Sequence, residues 1–245
     1  TASVPTPTAP TAPTISRVSA DPLPDGSVSL VWTTDQATDA QVIYGRASGA
    51  LMQTRFGSGR GTRHWVLLSQ MAPGRRYYYA VISRNGAGRE VRSTIRSFEV
   101  PQFGVADSRQ AQWRTGKYRS GMLIVTSDGG GLTLSSGRTS GHYRSRVLDA
   151  RQMVTWRIAR WMARVPRGAN MLIRVRTGST STPDDSWTRW VQIDTSGQRV
   201  PGAVRPSRYL QYRVQMTAGR GGRPLLHSIG FTTSGRRPAS RNETG

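Results

Sequence analysis

Along most of the chain, apolar residues recur at every second position in short runs closed by Gly, Pro, Asn or Asp. That period puts successive side chains on opposite faces of an extended strand, one face buried and one wet. "SVSLVW" alternates with Val28, Leu30 and Trp32 on one face, and "AQVIYG", "HWVLLSQM", "RRYYYAVIS" and "STIRSFEV" follow. "VPQFG" at 100–104 reads as a linker. Beyond it lie "GMLIVTS", "GLTLSSG", "YRSRVLDA", "MVTWRI", "NMLIRVRTG", "SWTRWVQI", "RYLQYRVQM" and "LLHSIGFTT". Many short strands separated by turn residues predict β-sandwiches. In "RYLQYRVQM", Leu210, Tyr212, Val214 and Met216 form a core face, while Tyr209, Gln211, Arg213 and Gln215 form a polar one. One segment, "VTWRIARWMARV", fits two periods. Val154, Ile158, Trp161, Met162 and Val165 have helical spacing beside Arg157, Arg160 and Arg164, as in a basic surface helix. Val154, Trp156 and Ile158 alternate as a strand, and the neighbouring strands favour that reading.

The fold class expected is therefore all-β, with two tandem sandwiches between extended tails. Residues 1–13 form a Thr/Pro-rich, polyproline-like tail, 14–101 a first sandwich, 102–233 an Arg-rich, jelly-roll-like second sandwich, and 234–245 a polar tail.

"RHWVLLSQMAPGRRYYYAVISRNGAG" carries a family likeness. A hydrophobic strand (Val66, Leu68, Met71) runs into Pro73-Gly74. A Tyr-rich alternating strand (Tyr77, Tyr79, Val81) follows, then Asn85-Gly86, with Trp32 two strands earlier in the position of a core Trp. Residues 13–101 thus resemble a fibronectin type III module, in the variant at the front of purple acid phosphatases, of which "WTTDQATDAQVIYG" is reminiscent. The resemblance implies a scaffold and no chemistry, because the metal-ligand clusters of a phosphatase catalytic domain do not follow. The second half, through "GHYRSRVLDA", "VTWRIARW", "IRVRTGSTSTPDDSWTRW" and "SRYLQYRVQM", resembles a bacterial extracellular β-sandwich akin to carbohydrate-binding jelly rolls.

Charge changes the picture more than any motif. The 245 residues hold 35 basic against 13 acidic side chains, a net charge of +22. Lys117 is the only lysine. Residues 1–102 carry 11 arginines and 6 acids, whereas 103–245 carry 24 basic residues and 7 acids, so the partner-facing surface is expected in the second half. Arginine's planar fork binds carboxylate and phosphate bidentately and stacks on aromatic rings. Arg144 and Arg146 share a strand face, as do Arg174 and Arg176; with Arg208 and Arg213 they could build a cationic sheet face. Trp187 and Trp190 face opposite ways on a strand, and the alternation of Val191 and Ile193 assigns Trp187 inward and Trp190 outward. The candidate binding surface is thus Arg144, Arg146, Arg174, Arg176, Trp190, Arg208 and Arg213.

Catalysis finds little support. The chain has no Cys and no Gly-x-Ser-x-Gly elbow. Asp184 and Asp185 in "STPDDSW" read as a turn, although with Asp194 they could contribute to a calcium site. His142 and His227 are far apart and read as structural, so no metal or cofactor is expected. "SDGGGLTL" at 127–134 lacks the Lys-Ser/Thr of a phosphate loop and reads as a hairpin turn. No run of 18 apolar residues suggests a membrane helix. Small residues after Thr1 fit a cleaved signal peptide, giving an extracytoplasmic expectation. The function expected is a non-catalytic structural or accessory subunit docking onto a larger assembly through its tails and Arg-rich domain. A glycan-binding adhesin using Trp190 and the Arg face, and an accessory module of a secreted hydrolase, stay open. Expected partners are protein subunits, with an anionic glycan or anionic membrane surface as alternatives. Nucleic acid is disfavoured because no known binding motif occurs.

Overall fold

A computed structural model describes residues 11–102, 104–119, 121–125, 131–200 and 206–234. Most of both tails, 1–10 and 235–245, lies outside these described residues, as does the Gly-rich 126–130. Contacts divide the chain into two compact units that are not separated by a single cut. Thr1–Ala20, Val28–Ser69 and Arg76–Glu99 form the first, and Asp21–Ser27, Gln70–Arg75 and Val100–Gly245 the second.

The first unit contains most of β1 (Ile15–Pro22), and β2 (Val28–Thr38), β3 (Gln41–Gly45), β4 (Gln53–Phe56), β5 (Gly61–Leu68), β6 (Arg76–Arg84), β7 (Glu90–Arg92) and β8 (Arg96–Glu99). One sheet has the order β1-β2-β5. The other runs β4-β3-β6-β7, with β8 pairing β6 beside β7. The alternation anticipated in the sequence is what the two sheets bury: Leu30 and Trp32 from β2, Val66 and Leu68 from β5, Tyr79 and Val81 from β6. Each fully buried large apolar side chain contributes about 1.5–3 kcal/mol. Trp32 resolves its one polar atom by donating Nε1–H to Ser83 Oγ at 2.9 Å. His64 stacks on Trp32 with ring centroids 5.1 Å apart, and its Nε2 lies 2.9 Å from Thr38 Oγ1 and 3.1 Å from Thr34 Oγ1.

The second unit contains β9 (Gly104–Asp107), a short helix α1 (Gln110–Arg114), β10 (Lys117–Arg119), β11 (Met122–Val125), β12 (Gly131–Leu134) and β13 (Ser140–Arg144). Then come β14 (Leu148–Arg164), β15 (Asn170–Gly178), β16 (Val191–Ile193), β17 (Ser207–Thr217) and β18 (Leu225–Ser234). All pairings are antiparallel. β17 lies between β13 and β15; β10 extends the sheet beyond β13, and β16 beyond β15. β18 pairs with β14 along one edge and with β9 and β12 along the other, and β11 pairs β12 with Val125 opposite Gly131. The 17-residue β14 serves both sheets: its start pairs β17 and its remainder pairs β18. Register breaks let it pass between them, and Arg151, at φ 68°, sits in the first.

"VTWRIARWMARV" is strand, not helix, but it changes phase. Val154 and Trp156 are buried; after an irregularity between Trp156 and Ala159, Ala159 takes the inward position expected of Ile158. "YRSRVLDA" is not one strand either. β13 ends at Arg144, and the chain steps across at 145–147 before β14 begins. From "SWTRWVQI" only Val191–Ile193 pairs as strand. The helix α1 was not anticipated. It buries Trp113 completely, edge-on to Tyr143 at 5.8 Å and to Tyr212 at 6.4 Å. Leu210, Tyr212, Val214 and Met216 are all buried as the period predicts, packed with Phe231, Ile229 and Leu134 from the other sheet.

Burial favours the neutral form of the His64 imidazole and lowers its pKa, opposed in smaller part by Asp39. A histidine depressed in the folded state contributes stability that is whole above its unfolded pKa of about 6.5 and is lost as pH falls below it. The denaturant midpoint of the first unit's transition is therefore expected to fall from pH 7 to pH 5. His64→Gln should flatten that dependence; an identical slope in the variant would contradict the assignment.

Candidate functional site

Pairing across the second unit's main sheet aligns cations that are far apart in sequence. Lys117 is opposite Arg144, Arg144 opposite Arg213, Arg213 opposite Arg174, and Arg174 opposite Gln192. Directly paired residues share a face, with strands about 4.8 Å apart. One lateral row thus carries four cations on four adjacent strands. Like charges directly opposite are unfavourable by up to about 1 kcal/mol per pair. Among the described residues none of these four forms a salt bridge.

Arg176 lies beside this row, opposite Gln211. Gln211 fixes it: Oε1 accepts from Arg176 Nε at 3.0 Å and NH2 at 2.6 Å, while Gln211 Nε2 donates to the Ser145 carbonyl at 2.8 Å. The Arg176 guanidinium also sits 4.7 Å from the Trp190 ring centroid and 5.3 Å from that of Trp187; Arg213 lies 4.7 Å from Trp190. Trp187 is buried and donates Nε1–H to Thr180 Oγ1 at 2.9 Å, and a Cβ on Gly178 would fall on its indole. Trp190 is half-buried, and its ring carries two guanidinium groups, which makes it a support for cations and not an open platform for a sugar ring. Burial, then repulsion from Arg144 and Arg213, loosens the Arg176 proton; burial and Arg174 do the same to Arg213. Both stay cationic at physiological pH. Arg213 Nε is sheltered and has no hydrogen-bond partner among the described residues.

Two adjoining clefts open on this face. One of about 500 Å³ is lined by Lys117, His142, Arg144, Arg174, Arg213 and Gln215 among others. The second, about 340 Å³, shares Lys117 and Arg144 and reaches Arg146, Arg176 and Gln211. Among the described residues, no acidic side chain lines either.

The seven residues singled out in the sequence thus divide. Arg144, Arg174, Arg176, Arg213 and Trp190 come together. Arg146 lines the second cleft but is tied to a buried carboxylate: its NH2 is 2.8 Å from Asp107 Oδ1, and Tyr212 donates its hydroxyl to Asp107 Oδ2 at 2.7 Å. Burial pushes the Asp107 carboxyl up against the opposing pull of Arg146 and Tyr212. Arg208 forms a fork with Asp149, 2.8 Å at each of two contacts, which holds that carboxyl below its usual range. Lys117, His142, Gln211 and Gln215 belong to the clefts and were not singled out. His142, expected to be structural, is exposed there. Only strand pairing between distant segments brings them together, although the parity of Gln211 and Gln215 with Arg213 was visible.

Asp184 accepts from Ser186 in the turn before Trp187, and that bonding lowers its pKa. Among the described residues no group of three His, Asp or Glu could hold a metal ion, and no helix is long and apolar enough to cross a membrane.

Residues 13–100 match the family described as the purple acid phosphatase N-terminal domain, in agreement with the resemblance seen in the sequence. No curated protein matches the chain. Among solved structures, an α-L-rhamnosidase from Dictyoglumus thermophilum is 11% identical, with a TM-score of 0.29, over 92% of this chain and 29% of that one. Chitinase ChiA74 from Bacillus thuringiensis is 11% identical, with a TM-score of 0.30, over 91% of this chain and 27% of that one. The chain therefore spans less than a third of either protein.

Arg144 and Arg146 should respond oppositely to truncation. Arg144→Ala removes a repelling neighbour and is expected to change stability by less than about 0.5 kcal/mol. Arg146→Ala strands a buried carboxylate and should cost about 2–4 kcal/mol at pH 7. A carboxyl raised in the folded state costs nothing below its unfolded pKa of about 3.9, and the cost grows as pH rises to the folded pKa, so the Arg146→Ala deficit should shrink on acidification. Urea unfolding at pH 7 and pH 4.5 checks both; equal, pH-independent effects would contradict the division.

Proposed function

We propose that the chain is a non-catalytic accessory module that attaches to an anionic partner through the cationic clefts of its second unit. The observation that carries this reading is the row Lys117–Arg144–Arg213–Arg174, aligned by strand pairing and, among the described residues, without a carboxylate lining its clefts. Structural arginines in this unit behave differently, since Arg146 and Arg208 each have an Asp. Retaining adjacent like charges, with Trp190 and Gln211 supporting two of them, supports a site prepared for an external anion. The first unit serves in this reading as a scaffold. Docking through the tails, the other half of the sequence expectation, concerns residues mostly outside those described. The adhesin reading keeps the clefts but loses Trp190 as an open stacking surface.

The test separates this site from the overall charge of +22. An Arg174→Ala/Arg213→Ala variant should bind polyglutamate and polygalacturonate at least about tenfold more weakly than the wild type in 50 mM salt. Arg157→Ala/Arg164→Ala, which removes the same charge from exposed positions on β14, should bind as the wild type does. Equal weakening by both pairs would reduce the binding to net charge. Trp190→Ala should weaken binding by about tenfold, from the loss of two cation–ring supports, yet leave the salt dependence unchanged because no charge is removed. A changed salt slope would contradict its role as a support.

A further inference from the structure

We infer that the larger cleft, over β13, β17 and β15, takes a carboxylated sugar of the uronate type, an inference that rests on the anion-docking reading above. The first reason is shape. The cleft encloses about 500 Å³ on a sheet face. Ligand pockets span about 300–1,000 Å³ and present few, placed polar groups. An acidic protein partner would instead press a broad patch with an apolar, aromatic-rich centre against the chain. The exposed large hydrophobic residues among those described are Met52, Phe56, Ile95, Tyr118, Met153 and Val165, and none of them lines this cleft. Tyr118 alternates with Lys117 and donates its hydroxyl to the Trp113 carbonyl instead.

The second reason is the mixture of groups. Guanidinium forks at Arg144, Arg174 and Arg213 suit the planar carboxylate. Between and beside them stand His142 and Gln215, directly paired across β13 and β17, and Leu172, which pairs Gln215 from β15. Imidazole and amide groups can both donate and accept, which is what ring hydroxyls need and what a bare carboxylate chain does not. Leu172 offers the small apolar surface that a sugar's C–H face requires. The cation row steps from strand to strand, so it repeats about every 4.8 Å across the sheet and can meet successive anionic rings laid over the strands.

The third reason excludes single-stranded nucleic acid, whose bases need open aromatic platforms beside the cations. Trp190, which adjoins the row, already carries Arg176 and Arg213, and Tyr143, which also lines the cleft, is buried. The sheltered, unpartnered Arg213 Nε–H marks the centre of the row as short of an acceptor.

Calorimetry on the full chain tests this with three probes: a uronic acid trisaccharide, the same trisaccharide with its carboxyl groups reduced to alcohols, and hexaglutamate. The uronate should bind at least about tenfold more tightly than either of the others. His142→Ala/Gln215→Ala, which leaves every arginine in place, should weaken uronate binding about fivefold or more and leave hexaglutamate unchanged. Hexaglutamate binding as tightly as the uronate would overturn the sugar assignment and leave anion docking standing. The reduced sugar binding as tightly as the uronate would overturn the role of the arginines. No binding of either anion would overturn both readings.

Discussion

Strand β17 must serve two environments at once, and the second unit depends on how it does so. Every second residue enters the core: Leu210, Tyr212, Val214 and Met216 are buried to within 1% exposure. The intervening residues cannot follow them, because a one-residue slip would exchange the two sets entirely. Core packing therefore fixes which way Gln211, Arg213 and Gln215 point. Pairing with β13 on one edge and β15 on the other then fixes what stands beside them. The cationic row follows from hydrophobic burial as much as from electrostatics.

Electrostatics determines what the row does. Its members oppose one another at strand spacing, and the apolar core beneath holds them there against that repulsion. Supports reduce the freedom of the cations without neutralising them: Trp190 under Arg176 and Arg213, and the Gln211 amide bridging Arg176 to the Ser145 carbonyl. A guanidinium already held in place loses less rotamer freedom when it meets an anion. Arg146 marks the limit of the face. It has the same parity as Arg144, but β13 has ended, and its head group meets Asp107 instead.

Much of the fold was legible because its governing period is local. Trp32, Tyr79, Val81 and the inward face of β17 could each be placed from two or three neighbours. Failures came where the chain departs from that period: the irregularity that gives Ala159 the inward place of Ile158, the crossing at 145–147, and the helix that buries Trp113. The candidate site was half legible. Parity identified Arg144, Arg174, Arg176 and Arg213, but their convergence depends on register between strands up to about a hundred residues apart. Lys117 stands on a three-residue strand with no alternation to place it, and His142 reads as structural in the sequence because His227 lies far from it. Arg146 and Arg208 were included because nothing in the local sequence pairs them with Asp107 and Asp149.

Central to the anion-docking reading is that Arg144, Arg174 and Arg213 of the row, with Arg176 beside it, are available to an anion while the arginines paired to carboxylates are not. The most direct measurement is the NMR response of the individual arginine Nε–H signals as polygalacturonate is titrated into the full chain. Shifts are expected to concentrate at Arg144, Arg174, Arg176 and Arg213, with Arg146 and Arg208 held by their Asp partners. Shifts spread evenly over the exposed arginines, or concentrated at Arg146 and Arg208, would contradict it.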